Sequence, residues 1–397
     1  MARTRAAERI QGFGTTVFAE MSALAVAHGA VNLGQGFPDF PAPTFVQEAA
    51  IAAIRDGHNQ YAPVGGVPRL REAIAVDWRL RFGREIDPER EVTVTTGATE
   101  GIFAGIQALL DPGDELLTFE PFYDSYPASV ALAGGRMKVV RLDPPDWTLD
   151  VNALRRAITP RTRVLLLNTP HNPTGKVFTR AELAAIAEVC IAHDLVVIAD
   201  EVYDQIVYDD HVHIPIATLP GMWERTLTLN STGKTFSLTG WKIGFAVGPA
   251  ELVGALRTVR QFVTFATATP FQEAMATALI EAPGRGYYHD LRRAYTTRRA
   301  ALTEVLRAAG FAVLEAQGSY FLMTDFAGQE HATDAAFCRW LISEIGVAAI
   351  PPSAFYAEPA TAPRLVRFCF AKELATIEEA GRRLVRIPAR RSLAAGS

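Results

Sequence analysis

The sequence predicts an α/β fold, a mostly parallel seven-stranded sheet between helix layers, followed by a smaller α+β domain. Three observations carry this. Seven short apolar runs recur between residues 91 and 249. They are continuous in Val, Ile and Leu rather than alternating with polar residues, the pattern of strands covered on both faces. Helical stretches separate them, and beyond Pro283-Gly284-Arg285-Gly286 the character changes.

The strands are expected at Glu91–Gly97, Glu115–Pro121, Lys138–Leu142, Arg163–Pro170, Leu195–Tyr203, Thr226–Thr232 and Ile243–Pro249. A helix is expected over Thr99–Leu110, stopped by Asp111-Pro112-Gly113. Thr179 and Glu182 form a capping-box pattern ahead of a second helix. These elements define a large domain over residues 49–281. Residues 282–397 are expected to form the small domain, opening with a long arginine-rich helix over Tyr287–Ala309. Residues 1–48, Pro-rich near their end, are expected to pack with it, and the tail Pro388–Ser397 to fray.

Composition narrows the function. With 39 Lys+Arg against 43 Asp+Glu, the net charge is −4, which gives no basic footprint for nucleic acid. No apolar stretch is long enough to span a membrane, and no apolar core closely follows the N-terminal arginines as in a secretory signal. Cys190, Cys338 and Cys369 are few, odd in number and far apart. They make neither a disulfide framework nor a CxxC site, and they suit a reducing cytoplasm.

Chemistry concentrates in four places. In STGKTFSLTGWKIG, Lys234 follows a strand and has Lys242 eight residues on. A lysine beside a second cation at a strand end has its ammonium disfavoured, so its amine can attack a carbonyl. Ser231 and Lys242 could hold a phosphate. A solvated lysine in a Gly-Ser loop is the alternative, and the Walker A spacing fails for want of its first glycine. In LVVIADEVY, Asp200 ends an apolar strand, where open α/β sheets place ligand-binding groups. It can keep a heteroaromatic ring nitrogen protonated, ligate magnesium, or cap a helix.

In NTPHNPTGK, the Asn-Pro pair presents Asn172 from a turn, either as an amide donor or as a plain structural turn. In LVRFCF, Arg367 stands alone in an apolar strand. It must meet an internal acid or await an anionic ligand, for which its fork suits a carboxylate. Other features are set aside. His211 and His213 share a strand face in this reading but have no third ligand nearby, so no metal site is expected. Gly34-Gln-Gly36 and Gly65-Gly66 are not a dinucleotide fingerprint. Arg292, Arg293, Arg298 and Arg299 read as a solvated helix face.

The four places in this order resemble the class I/II aminotransferases, pyridoxal 5′-phosphate (PLP) enzymes of fold type I. The resemblance runs from about Gly12 to Leu384. VNLGQGFPDFP (31–41), NQY (59–61), EPFYDSY (120–126), PGMWERTLT (220–228) and GSYFLMTD (318–325) look like the branch of kynurenine aminotransferases, glutamine transaminase K and cysteine-S-conjugate β-lyases.

The resemblance implies roles for residues. Lys234 would carry the cofactor and move the substrate proton, with Asp200 on the ring nitrogen. Asn172 and Tyr203 would bond the ring hydroxyl, and Tyr123 would stack on the ring. Ser231, Lys242 and the backbone N–H groups of Ala98 and Thr99 would hold the phosphate. Tyr61 would reach it from the neighbouring subunit of a homodimer. Arg367, Asn172 and Gly36 would take the substrate carboxylate, while Phe18 and, across the dimer, Phe265 would line the side-chain pocket. Two departures stand out: Lys242 replaces a frequent Arg, losing its fork, and Thr99 replaces a Tyr of some relatives.

The implied activity is amino-group transfer from an apolar, aromatic or sulfur-containing L-amino acid to a 2-oxo acid. Cysteine-conjugate β-elimination and N-succinyldiaminopimelate transamination, suggested by FAEMSALA (18–25), are the alternatives. A PLP-binding transcription regulator would need an N-terminal helix-turn-helix and a basic patch, neither of which is read here.

Overall fold

A computed structural model describes residues 6–326 and 329–388. Apart from Pro388, the tail expected to fray lies outside the described residues. Strands β1 (Val31–Asn32), β2 (Val92–Thr96), β3 (Glu115–Glu120), β4 (Arg136–Arg141), β5 (Thr162–Asn168), β6 (Val196–Asp200), β7 (Thr226–Ser231) and β8 (Ile243–Val247) come first. Strands β9 (Ala312–Val313), β10 (Phe321–Asp325), β11 (Val347–Ala348) and β12 (Leu365–Cys369) follow. The helices are α1 (Val17–Ala27), α2 (Thr44–Arg55), α3 (Pro68–Phe82), α4 (Gly97–Leu109), α5 (Ser125–Leu132), α6 (Val151–Ala157) and α7 (Arg180–Ala192). After them come α8 (Thr232–Thr235), α9 (Ala250–Val263), α10 (Thr269–Glu281), α11 (Tyr287–Ala308), α12 (Asp334–Trp340) and α13 (Leu374–Leu384).

All seven strands expected between residues 91 and 249 form one sheet, in the order β2-β8-β7-β6-β5-β3-β4. Only β8 runs against the rest. The continuous apolar runs have their cause in burial on both faces. Ile102, Leu116, Val164, Leu166, Ile198 and Leu229 pack on one side. Leu117, Leu165, Leu167, Val197 and Ile186 pack on the other.

Helix α4 begins at Gly97, two residues before the expected start. Gly97 has φ +71°, a left-handed conformation that turns the chain from β2 straight into the helix. The Thr179–Glu182 capping box is present in both directions. Helix α2 crosses residue 48 and packs on α10.

The C-terminal part has β10 between β12 and β9, all antiparallel. The N-terminal β1 pairs with β11 in parallel, which brings the segment after α1 beside β12. Two expectations are corrected here. Arg298 and Arg299 are not on a solvated face: Arg298 donates to the Lys372 carbonyl and covers Phe40, and Arg299 donates to the Ala316 carbonyl and covers Tyr208. Each guanidinium satisfies a backbone carbonyl while lying over an aromatic ring, so neither side chain is free in solvent. His211 and His213 do not share a strand face, since residues 209–215 are irregular; His213 is buried against Glu201, Nε2 to Oε2 2.8 Å.

Candidate active site

The carboxyl ends of parallel strands leave backbone groups unpaired and point loops at one edge, where ligands bind in open α/β sheets. Here β5 ends at Asn168, level with Asp200 at the end of β6, and β7 runs two residues past Leu229, the partner of Asp200, to Ser231. They floor a cavity of about 320 Å³. Of the residues singled out in the sequence, Phe18, Gly36, Ala98, Thr99, Tyr123, Asn172, Asp200, Tyr203, Ser231, Lys234, Lys242 and Arg367 all line it. Tyr61 and Phe265 do not. They are 84% and 46% exposed and pack edge to face, centroids 5.4 Å apart, away from this chain's own cavity.

Asp200 lies at the bottom. Its Oδ2 accepts from the Tyr126 hydroxyl at 2.7 Å, while Oδ1 has only a long contact from the Val202 amide, 3.5 Å. Burial pushes the carboxyl up to about 6, against the pull of Tyr126, the Val202 amide and the Lys234 charge. A buried carboxylate with one oxygen open calls for a cation or an N–H donor.

Lys234 stands on the one-turn α8. Its Nζ donates to Tyr320 Oη at 2.9 Å and, at the limit of a hydrogen bond, to the Gly36 carbonyl at 3.5 Å. Desolvation, with the Lys242 and Arg367 charges adding to it, brings the amine down to about 8; Cys369 and Asp200 oppose them. A substantial neutral fraction near pH 8 makes a usable nucleophile and base.

The amino end of α4 forms the anion side. Lys242 has φ +55°, an uncommon conformation for a side-chain-bearing residue. That turn carries its ammonium against Gly97, where an added Cβ would lie 3.1 Å from Nζ. Gly244 allows the close approach: a Cβ there would sit 2.6 Å from Gly97 C and 2.7 Å from Ala98 N. Free N–H groups, a helix dipole and an ammonium thus meet at one point, together with Ser231.

Arg367 settles the choice left open by its strand. It is 1% exposed, and its partners are neutral: Asn172 Oδ1 at 2.8 Å and the Gly34 carbonyl at 3.0 Å. Its Nε has no partner among the described residues. Burial lowers its pKa from the usual arginine range, opposed by Cys369, Tyr203, Tyr320 and Asp124. The rings of Phe321, Phe18 and Phe355 surround the guanidinium, at 4.0, 5.1 and 5.2 Å. With Oδ1 of Asn172 taken by Arg367, its Nδ2 remains as a donor.

Sequence reasoning missed several members. Asn168 donates to the Asp200 carbonyl and accepts from the Asn172 amide, fixing the turn to the floor. It ends a strand as Asp200 does, so the same rule could have found it. Tyr126, Tyr320 and Phe321 lie inside EPFYDSY and GSYFLMTD, quoted above without roles. Gln35 lines the cavity and ties α1 down through the Phe18 carbonyl and Ser22 Oγ.

Residues 29–384 match the family described as aminotransferase class I and II. A solved structure of N-succinyldiaminopimelate aminotransferase from Mycobacterium tuberculosis is 48% identical, with a TM-score of 0.93 over 96% of this chain and 100% of that one. The methionine aminotransferase of Escherichia coli is 41% identical over 95% of this chain and 97% of its own length. Human kynurenine–oxoglutarate transaminase 1 is also 41% identical, over 95% of this chain and 97% of its own length. That match over most of the chain, with relatives 41–48% identical across nearly their full length, shows that the chain belongs to the class I and II aminotransferases and is an aminotransferase.

Proposed function

We propose that the enzyme works with PLP and moves the amino group of an apolar, aromatic or sulfur-containing L-amino acid to a 2-oxo acid. The observation that carries this is Arg367, a fully buried cation without an ion pair, on the wall that Lys234 also lines. The residues fit PLP: a half-satisfied buried acid suits a ring nitrogen, and an ammonium at a helix amino end suits a phosphate. When bound, PLP supplies an aldehyde that joins amines and a ring that draws electrons from the substrate Cα.

The chain's own groups do the rest. Asp200 would hold a proton on the ring nitrogen. Ser231, Lys242 and the Ala98 and Thr99 N–H groups would hold the phosphate, Asn172 Nδ2 and Tyr203 would bond the ring hydroxyl, and Tyr123 would cover the ring. Arg367, with the Gly36 backbone and Asn172, orients the substrate carboxylate. Lys234 Nζ would hold the cofactor at rest and, once released, would act as the base that moves the substrate proton. Phe18, Phe321 and Phe355 surround the guanidinium, and Phe18 and Phe321 also give the cavity apolar walls.

Tyr61 and Phe265, exposed together, support a homodimer in which each completes the partner's site. Three buried, unpaired cysteines support a cytoplasmic enzyme. N-succinyldiaminopimelate is the second reading, favoured by the 48% identical relative. Its far carboxylate would need a cation, and among the described residues the cavity is lined by Lys234, Lys242 and Arg367 alone as cations.

The test has two stages. Purified protein is expected to take up PLP with a visible absorption band that borohydride bleaches, and Lys234→Ala to abolish turnover; a protein that binds no PLP defeats the reading. Methionine, phenylalanine, kynurenine, glutamine and N-succinyldiaminopimelate are then assayed against 2-oxoglutarate and pyruvate. Preference for the last donor would replace the first reading by the second.

A further inference from the structure

Lys234 Nζ has one close partner, the hydroxyl of Tyr320, at 2.9 Å. That hydroxyl donates its proton to the Gly36 carbonyl at 2.5 Å. A phenol has one proton and two lone pairs, so a Tyr320 proton committed to Gly36 leaves the oxygen as an acceptor toward the amine. The amine then spends one N–H on Tyr320, and its lone pair stays open to the cavity.

The ring is immobilised. Tyr320 is fully buried, stacks on Tyr295 at 6.0 Å, and meets Tyr203 and Phe321 edge to face at 5.0 and 4.8 Å. Its position is fixed from both sides of the molecule: Phe370 N–H bonds its carbonyl, and Ser319 N–H bonds Ile206 beyond the Asp200 strand.

We propose that Tyr320 is a positioning residue for Lys234: it docks the free amine and orients its lone pair toward the reacting carbon. This rests on the reading of Lys234 as the group that moves the substrate proton. In each half of a transamination cycle that amine must stay nearby, unattached, and alternate between base and ammonium. Tyr320 Oη accepts from either form, and the ammonium, with the greater positive charge, gains more from it. Burial chiefly disfavours the ammonium, with Lys242 and Arg367 adding to it; Cys369 and Asp200 favour it, and the Tyr203 ring faces the amine at 5.7 Å. Because Gly36 belongs to the loop expected to take the substrate carboxylate, the same phenol joins that loop to the proton carrier.

The test is Tyr320→Phe in the full-length chain. After PLP is removed, the chain is labelled with trinitrobenzenesulfonate across pH and Lys234 modification is followed by peptide mass. The wild-type midpoint is expected near 8. Loss of the acceptor is expected to lower it by about one unit. With PLP bound, single-turnover amino transfer is expected to slow at least about ten-fold. The isotope effect on an α-deuterated donor is expected to grow, with KM within about two-fold.

An unmoved midpoint, or a loss confined to KM, overturns the proposal and leaves Tyr320 a support for the Gly36 loop. If Tyr320→Phe does not fold, 4-fluorophenylalanine at position 320 keeps the ring and fills the hydroxyl's place with a fluorine that is a very weak acceptor and does not titrate. A lowered midpoint there supports the proposal and an unchanged one overturns it. If the wild-type chain takes up no PLP, the functional reading fails separately, and the labelling midpoint still decides the contact.

Discussion

The Tyr126 hydroxyl donates to Asp200 Oδ2 at 2.7 Å, and both side chains are buried. The bond lies across α5 and β6, so a helix on one face of the sheet sets the charge of an acid at its edge. Burial raises Asp200 and Tyr126 lowers it, leaving the carboxyl at about 6. A ring cation bound there would depress it further. The carboxylate's contribution to PLP binding is therefore complete above pH 6 and is lost as pH falls below it.

Tyr126→Phe removes the largest lowering influence on Asp200. The pH at which uptake of PLP by the cofactor-free protein falls off is expected to move upward from the wild-type value, by about one unit. The titrations of PLP itself are common to both proteins and cancel in the difference. Uptake followed by absorbance checks this, and coincident profiles would refute it.

Arg367 is matched by neutral groups only, so an anionic ligand has most to gain from it. Arg367→Ala is expected to reduce kcat/KM for every amino donor by about 10²-fold or more, the scale of losing a buried charge-assisted pair. Arg367→Lys keeps the charge but loses the fork, and is expected to raise KM at least about ten-fold. The visible band should persist in both. A steady-state comparison decides, and unchanged KM in Arg367→Lys would count against the carboxylate role.

Gly244 is where β8 passes α4 closely enough that a methyl group has no room, with Gly97 C, Ala98 N and the Asn230 carbonyl all within 2.8 Å of its Cβ. Backbone on all sides cannot swing away as a side chain would. Gly244→Ala is expected to displace the anion cradle and weaken PLP affinity by about ten-fold or more. Equilibrium dialysis reads the affinity, and a wild-type value would show that the cradle is elsewhere.

Arg260 is fully buried and pairs with Glu100, Nε to Oε1 3.4 Å, while bonding the Phe265 carbonyl and Thr267. Glu100 also accepts from the Thr96 amide and the Thr264 hydroxyl. Glu100→Ala would strand a buried cation, and is expected to destabilise the fold by about 3–5 kcal/mol. Guanidinium unfolding should show a lower midpoint with a similar slope.

The seven runs of Val, Ile and Leu, the capping box at Thr179 and the turn signals were enough to read the large sheet and its helix entries, because strand and helix patterns are set by neighbours a few residues apart. Lys234, Asp200, Asn172 and Arg367 stood out for a similar local reason: each is a polar group at the end of, or within, an apolar run. Their partners did not. Arg367 meets Asn172 across 195 positions, and Lys234 meets Tyr320 across 86. Local pattern could not tell whether Arg367 faced an acid or a cavity, nor that Arg298 and Arg299 dock and His213 is buried. Those answers depend on which strands become neighbours and how closely helices pack, and only the folded chain brings such distant residues into contact.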